Sequence, residues 1–133
     1  LNHSRSWLLS GSQPPGVAAA QKAAIEVLMS EPEHVQRLWD NTTYFRDELG
    51  SMGFDTGVSE TPIVPVMCGG SRKAQELSSL MREEGVMVGA IVFPMVARDK
   101  ARVRTQMSAG LSRDELNSVL ESFDRCGRKI GLI

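Results

Sequence analysis

The sequence is short of the residues that hold disulfide-rich or metal-binding domains together. Only two cysteines, Cys68 and Cys126, and two histidines occur in 133 residues, and none stands at the spacing of a zinc site. Aromatic residues make up 5% of the chain, and no apolar run approaches the length of a membrane span. These absences exclude a disulfide framework, predict no metal ligands and no membrane partner, and favour the reducing cytoplasm.

The sequence also lacks an excess of charge of either sign. Fifteen Lys and Arg residues against sixteen Asp and Glu residues leave a formal net charge of −1 at pH 7. General nucleic-acid binding needs a strong basic field, so we expect no nucleic-acid partner. The length suffices for one hydrophobic core. Because the chain begins at Leu1 without an initiator methionine, we expect it to be a piece of a longer protein.

The apolar periodicity predicts two helices followed by the order β-α-β-β-α. The first two predicted helices are an alanine-rich helix over 17–29 and a helix after a capping box at Ser30–Glu33. Strands are predicted over 63–67, 86–92 and 101–107. A third helix follows Ser71, and a last helix follows a capping box at Ser112–Glu115. Pro65 indicates an edge position or a bulge. This order favours an α+β fold, a small and mostly antiparallel sheet with helices on one face. The other face is left for another domain or subunit.

The predicted strand over 101–107 holds the sharpest candidate for chemistry. Side chains alternate along a strand, so Arg102, Arg104 and Gln106 share one face and the more apolar residues share the other. A guanidinium held on a rigid strand is a good bidentate clamp for a carboxylate or phosphate. A solvated charged face would give the same pattern and is the commoner outcome for arginine.

Two further segments are weaker candidates. Ser10-Gly11-Ser12 precedes a proline pair and a helix, where hydroxyl and N–H groups can hold a phosphate, although ordinary loops often share this pattern. The stretch Phe93-Pro94-Met95-Val96 could line a pocket, although such stretches are more often core. No lysine lies in an apolar run that would activate it, so an independent catalytic set is missing.

Several segments together resemble the C-terminal part of the α-oxoamine synthase family, pyridoxal-phosphate (PLP) enzymes that condense an amino acid with an acyl-CoA. The segments that carry the resemblance are 10–15, 38–41, 45–46, 62–66, 84–86, 93–96, 101–109 and 127–133. It is closest to the glycine C-acetyltransferases, also called 2-amino-3-ketobutyrate CoA ligases. Members of the 8-amino-7-oxononanoate synthase or serine palmitoyltransferase type stay open as alternatives, as does a free-standing, non-catalytic interaction module.

The resemblance implies roles for the candidate residues. Arg104 would clamp the carboxylate of the amino-acid substrate. Ser12, with Ser10 second, would contact the PLP phosphate in the partner subunit of a homodimer, and Phe93, Pro94, Met95 and Val96 would border the site. Residues 1–16 would form an interdomain and dimer-contact segment, and 17–133 the small C-terminal domain. The lysine that bonds PLP would lie in a large domain upstream, so the isolated chain is expected to be inactive.

Three positions depart from the usual pattern of this family. Gly110-Leu111 stands where Ala-His is usual, Ala97 replaces the second proline of a Pro-x-Val-Pro loop, and Gly11 replaces Asn or Thr. These departures bear on which substrate the parent enzyme takes.

Overall fold

The computed structural model describes residues 3, 11 and 13–133, which form two compact units, the described residues up to His34 and residues 35–133. In the first unit, helix α1 spans Pro15–Ser30, and all of its residues are exposed. The predicted helix over 17–29 is therefore confirmed. It begins two residues earlier because Pro15 occupies the first turn, where a missing N–H removes no intrahelical bond.

The predicted capping box at Ser30–Glu33 is wrong. Helix α1 continues through Ser30, whose hydroxyl donates to the carbonyls of Glu26 and Val27 at 3.0 and 3.2 Å. A capping serine must instead leave the helical conformation and accept a bond from an N–H of the next helix. Ser30 therefore belongs to the end of α1 and does not cap helix α2 (Glu33–Ser51).

The second unit contains a three-stranded antiparallel sheet. Strands β1 (Ile63–Gly69), β2 (Gly89–Ile91) and β3 (Ala101–Gln106) lie in the order β1-β3-β2, and both neighbouring pairs are antiparallel. Most of helix α2, from Val35 onward, completes the unit together with helices α3 (Ser71–Glu83) and α4 (Arg113–Lys129), which confirms the predicted α+β class. Strand β1 is an edge strand, as Pro65 predicts, whereas the register shift falls between Met67 and Gly69.

Strand β2 is shorter than the sequence predicts. Only Gly89, Ala90 and Ile91 pair with β3, whereas the apolar run suggests a strand over 86–92. The side chains of Val86 and Val88 pack against the core, and the Ser78 hydroxyl of α3 donates to the carbonyl of Val88 at 2.7 Å. The residues before Gly89 are thus held by a helix rather than by a β-ladder.

The core lies between one face of the sheet and the helices. Val64, Val66 and Val103 point to this face and are fully buried. The largest buried side chains from the helices are Phe45, Leu49, Leu77, Met81, Leu116 and Phe123. Phe123 makes edge-to-face contacts with Phe45 and with Phe54, with ring centroids 6.1 and 5.9 Å apart. In the described part of the chain, no helix combines the length and the apolar character of a membrane span.

Two polar contacts fix the segment between β3 and α4. The side-chain amide of Asn41, which is buried, donates to the carbonyls of Ser108 and Leu111 at 3.0 and 2.9 Å. The predicted capping box at Ser112 is confirmed: its hydroxyl accepts from the N–H of Glu115 at 3.2 Å, and its own N–H donates to the Glu115 carboxylate at 2.8 Å. Strand β3 is therefore anchored directly after its last residue.

Candidate substrate-binding site

The second face of the sheet, here called the open face, carries the candidate site. Because paired residues of neighbouring strands share a face, the register defines three rows on it. Met67, Arg102 and Ile91 form the first row, Pro65, Arg104 and Gly89 the second, and Ile63 and Gln106 the third. Burial alternates along β3 as predicted: Ala101, Val103 and Thr105 are buried, Arg102 is half-buried, and Arg104 and Gln106 are exposed.

A cavity of about 300 Å³ lies on the open face. The lining residues are Val58, Ser59, Thr61, Ile63, Pro65, Ile91, Val96, Arg102 and Arg104. Five of these are aliphatic or proline side chains and the only charged ones are the two arginines of β3. The cavity is therefore an apolar recess with positive charge on one wall.

The segment that walls the cavity beside β1 is held by Asp55. The backbone carbonyl of Asp55 accepts from the N–H of Met67 at 2.8 Å, and its carboxylate accepts from the N–H of Gly57 at 2.8 Å. Gly57 has a φ of 58°, which glycine adopts without strain. A Cβ at this position would lie only 3.7 Å from Pro65 Cγ, so residues 57–61 run close along the open face.

The two arginines differ in how they are held. Arg102 Nε donates to the carbonyl of Lys100 at 3.1 Å, which fixes the plane of its guanidinium. Arg104 has no hydrogen-bond acceptor among the residues that the structure describes, and its cross-strand neighbour Gly89 has no side chain to cover it. Neither arginine forms an ion pair within the described part of the chain. Arg104 is thus accessible and available to an anion.

The predicted pocket loop is divided between two cavities. Val96 lines the cavity that contains Arg104. Phe93 lines a second cavity with Ser71, Arg98 and Asp99, and the Arg98 guanidinium lies 4.8 Å from the centre of its ring. Pro94 and Met95 are exposed and line neither cavity. The expectation that all four residues border a site stays a prediction.

Among the described residues, the cysteine of β1 does not line this cavity. Ser10 and Ser12, expected to contact a cofactor phosphate, lie outside the described residues. Cys68 lies on the covered side of β1 and its thiol donates to the carbonyl of Val66 at 3.3 Å. Burial raises the pKa of Cys68, which keeps the thiol neutral and unsuited to nucleophilic attack.

Sequence reasoning missed most of the cavity lining. Ile63, Pro65 and Ile91 line the cavity because of the register of β1 and β2 against β3, which no local pattern fixes. A usable signal is that Ile63 and Pro65 occupy alternate positions to Val64 and Val66 along the strand, although Pro65 is buried as well. Val58 and Thr61 carried no such signal because they lie in an irregular segment.

The donor set on the open face fits a small anion rather than a whole cofactor. The two guanidinium groups offer bidentate N–H pairs for a carboxylate. Among the described residues, none of the cavity-lining side chains is a lysine that could bond PLP covalently or an acid that could face its ring nitrogen. The described part of this cavity therefore offers donors to a small anion and no residue that would bond PLP.

The architecture defines the class of protein. A three-stranded antiparallel sheet with helices on one face matches a part of the PLP-dependent transferases of fold type I: a solved serine palmitoyltransferase with PLP superposes with a TM-score of 0.94 over 99% of this chain and 34% of that one, at 27% identity. The Sphingomonas wittichii serine palmitoyltransferase superposes with a TM-score of 0.86 over 93% of this chain and 32% of that one, at 25% identity.

The family model for aminotransferase class I and II matches residues 1–123, and the chain belongs to this family. It is 51% identical over 129 residues to the 8-amino-7-oxononanoate synthase of Symbiobacterium thermophilum. This match covers 97% of this chain and 33% of that protein. It is 44% identical over 133 residues to the 8-amino-7-oxononanoate synthase/2-amino-3-ketobutyrate coenzyme A ligase of Thermus thermophilus, covering 100% and 34%. The chain thus spans about a third of the length of these relatives, and its homology to α-oxoamine synthases agrees with the predicted resemblance.

Proposed function

We propose that this chain is the C-terminal domain of a PLP-dependent acyltransferase that joins an amino acid to an acyl thioester. The observation that carries the proposal is Arg104, an exposed guanidinium without an ion-pair partner in the described chain, at the edge of an aliphatic cavity. The family membership supports the reaction class. In this proposal the domain contributes substrate binding, and a large domain of the same protein contributes the covalent chemistry.

Arg104 would bind the carboxylate of the amino acid through two parallel N–H donors. A bidentate contact fixes the plane of the carboxylate and hence the orientation of the bonds at the α-carbon. PLP, when bound, supplies the electron sink that stabilises negative charge at that carbon. The aliphatic lining from Ile91 and Val96 would shield this region from water and strengthen the charge pairing.

The relatives favour the 8-amino-7-oxononanoate synthase type. Their product name describes a nine-carbon acid whose amino group stands on the penultimate carbon, next to a ketone. An amino acid with a methyl side chain, joined to a seven-carbon acyl group that ends in a carboxylate, gives this skeleton once the amino-acid carboxylate has left as CO₂. The 51% identity to the enzyme of Symbiobacterium thermophilum supports this type.

The glycine C-acetyltransferase type remains the second candidate. Its product, 2-amino-3-ketobutyrate, keeps the carboxylate of glycine and adds a two-carbon acyl group. The Thermus thermophilus relative, 44% identical, bears both names. In both reactions a carboxylate must be held beside the α-carbon, so Arg104 has the same role, and the acyl chain length separates the two candidates.

The remaining features of the proposal concern the whole protein. The complete enzyme would be a homodimer with PLP as cofactor, in which Ser12 and Ser10 of one subunit approach the cofactor phosphate of the other. We propose a cytoplasmic location, which the two free, buried thiols of Cys68 and Cys126 support.

The test is a substrate panel with the complete enzyme. Purified protein is incubated with glycine, alanine or serine and with acetyl-CoA, heptanedioyl-CoA or palmitoyl-CoA, and the products are identified by mass. We expect alanine with heptanedioyl-CoA to be the preferred pair, with formation of CO₂. Preference for glycine with acetyl-CoA would favour the second candidate, and no condensation with any pair would contradict the proposed function and favour a non-catalytic module.

A further inference from the structure

Arg102, the second arginine of the cavity, takes no part in the reaction proposed above. Arg102 is half-buried, lines the same cavity as Arg104 and lies two residues before it on the same face of β3. Two residues along a strand separate the two Cα atoms by roughly 7 Å. Arg104 alone supplies the two parallel N–H donors that one carboxylate takes, and Arg102 is oriented separately by the Lys100 carbonyl, so Arg102 is available to a second anionic group.

The surroundings of Arg102 favour an anionic partner. Its row neighbours on the open face are Met67 and Ile91, and Val96 lines the same recess. Among the described residues, its hydrogen-bond acceptor is the carbonyl of Lys100, to which the Nε–H donates. The four donors of the two terminal nitrogens have no acceptor among the described residues. A half-buried charge in an apolar setting costs free energy unless it is paired and hydrogen-bonded.

The backbone contact of Arg102 also prepares it for binding. A guanidinium whose Nε is already held loses less conformational entropy when its two terminal nitrogens donate to a ligand. Arg125 on α4 is an arginine with a structural role instead: it pairs with Glu84 at 2.6 Å and links the end of helix α3 to helix α4. Arg102 has no such carboxylate within the described part of the chain.

We propose that Arg102 binds an anionic oxygen group of the acyl donor while Arg104 holds the amino acid. The inference rests on the proposed function, since it requires a second substrate that reaches the same α-carbon. Two sources supply this chemistry: a carboxylate at the far end of the acyl chain, or a phosphate of the coenzyme that carries it. The aliphatic wall formed by Ile91 and Val96 suits the methylene groups of a chain between the two charges.

The test uses the complete enzyme with four donors that separate the two sources. The donors are heptanedioyl-CoA, heptanoyl-CoA and the same two acyl groups on pantetheine, which has no phosphate. Arg102→Met removes the charge and keeps the apolar bulk, and Arg102→Lys keeps the charge without the paired N–H donors of a guanidinium. Arg82→Met on α3 is the matched control. Loss of a charged hydrogen-bonded pair lowers kcat/KM about 10- to 100-fold.

Each result bears on the inference. If the carboxylate is the ligand, Arg102→Met impairs both heptanedioyl donors and spares both heptanoyl donors. If the phosphate is the ligand, it impairs both CoA donors and spares both pantetheine donors. The dissociation constant of the amino acid alone is expected to stay unchanged, because Arg104 holds the amino acid. A loss of amino-acid affinity in Arg102→Met would show a merely structural role of Arg102 and overturn the inference. Equal kcat/KM changes across all four donors, or none, would overturn the inference.

A binding measurement separates this inference from the proposed function. Titration calorimetry with free CoA and with heptanedioate gives dissociation constants without turnover. Weaker binding of either one by the Arg102→Met variant, relative to Arg82→Met, supports the anion site even if the enzyme condenses none of the substrate pairs. Unchanged dissociation constants for both ligands would overturn it.

Discussion

On the covered face of the sheet, Val64, Val66 and Val103 are fully buried against the helices, whereas on the open face Arg104 is exposed and Arg102 half-buried. The charged groups differ in the same way. On the helices, Arg125 pairs with Glu84, and Arg128 pairs with Asp124 at 2.8 Å. The arginines of β3 have no such partner in the described residues.

This difference separates the residues that stabilise the domain from those available to a ligand. The hydrogen bond from Arg125 lowers the pKa of Glu84, which shows a carboxylate already satisfied within the domain. The open face leaves its guanidinium groups to an external anion. Substitutions on the covered side should change the free energy of unfolding, and those on the open face should change substrate binding instead.

The largest expected effect is that of Phe123→Ala on the covered side. The ring is fully buried and contacts both Phe45 and Phe54, so its removal leaves a cavity and costs about 3–5 kcal/mol of stability. Denaturant unfolding of the chain measures this loss. A change below about 1 kcal/mol would show that the covered face does not hold the fold as described.

Thr105→Val tests the neighbour of Arg104 that points to the covered face. The Thr105 hydroxyl is buried and donates to the carbonyl of Val64 at 2.6 Å. Loss of this bond, at nearly constant volume, should lower stability by about 1–2 kcal/mol. The dissociation constant of the amino acid should differ from that of the wild type by less than about twofold. A large binding defect without a stability loss would break the comparison between the two faces.

Gly89→Val tests the open space beside Arg104. A Cβ at Gly89 meets no atom within 4 Å, so the fold accepts a larger residue there. The valine side chain shares a face with Arg104 and should raise the KM for the amino acid about tenfold, equivalent to about 1.4 kcal/mol. Gly89→Ala is the smaller matched change and should leave KM nearly unaltered. An equal KM for all three proteins would show that this space is not an entry to the arginine.

The smallest effect is expected from Ser112→Ala, which removes the cap of α4 on the covered side. The cost should be about 1 kcal/mol in denaturant unfolding, because the N–H of Glu115 loses its acceptor and the Glu115 carboxylate loses the hydroxyl donor. Ser30→Ala is the control, since its hydroxyl bonds only to carbonyls of its own helix. Equal losses for the two variants would contradict the assignment of a capping box to Ser112 alone.

The two serine motifs also show where sequence reasoning succeeds and where it fails. Both have the spacing Ser-x-x-Glu, but Ser112 follows an irregular turn, and Ser30 ends a helix whose residues favour continuing it. The box pattern identifies candidates, and the preceding backbone decides which one forms. Apolar periodicity predicted the helices and two of three strands well. It overextended β2 because the core contacts of Val86 and Val88 resemble those of a strand.

In the candidate site, too, some features could be predicted from the sequence and others could not. Alternation along β3 predicted that Arg104 leaves the core, because this property depends only on local backbone geometry. The lining by Ile63 and Ile91 depends on strand pairing over long sequence separations and could not be predicted locally. The PLP chemistry came from the resemblance alone, since the described residues of the cavity contain no group to bond the cofactor.

The central claim is that Arg104 holds the carboxylate of the amino-acid substrate. The most direct measurement is the dissociation constant and kcat/KM for the amino acid in the complete enzyme, compared between the wild type, Arg104→Ala and Arg104→Lys. Loss of the charge-assisted bidentate contact should lower kcat/KM about 100-fold or more in Arg104→Ala and less in Arg104→Lys, with an unchanged unfolding midpoint. Kinetics equal to those of the wild type in both variants would remove Arg104 from the site and contradict the account.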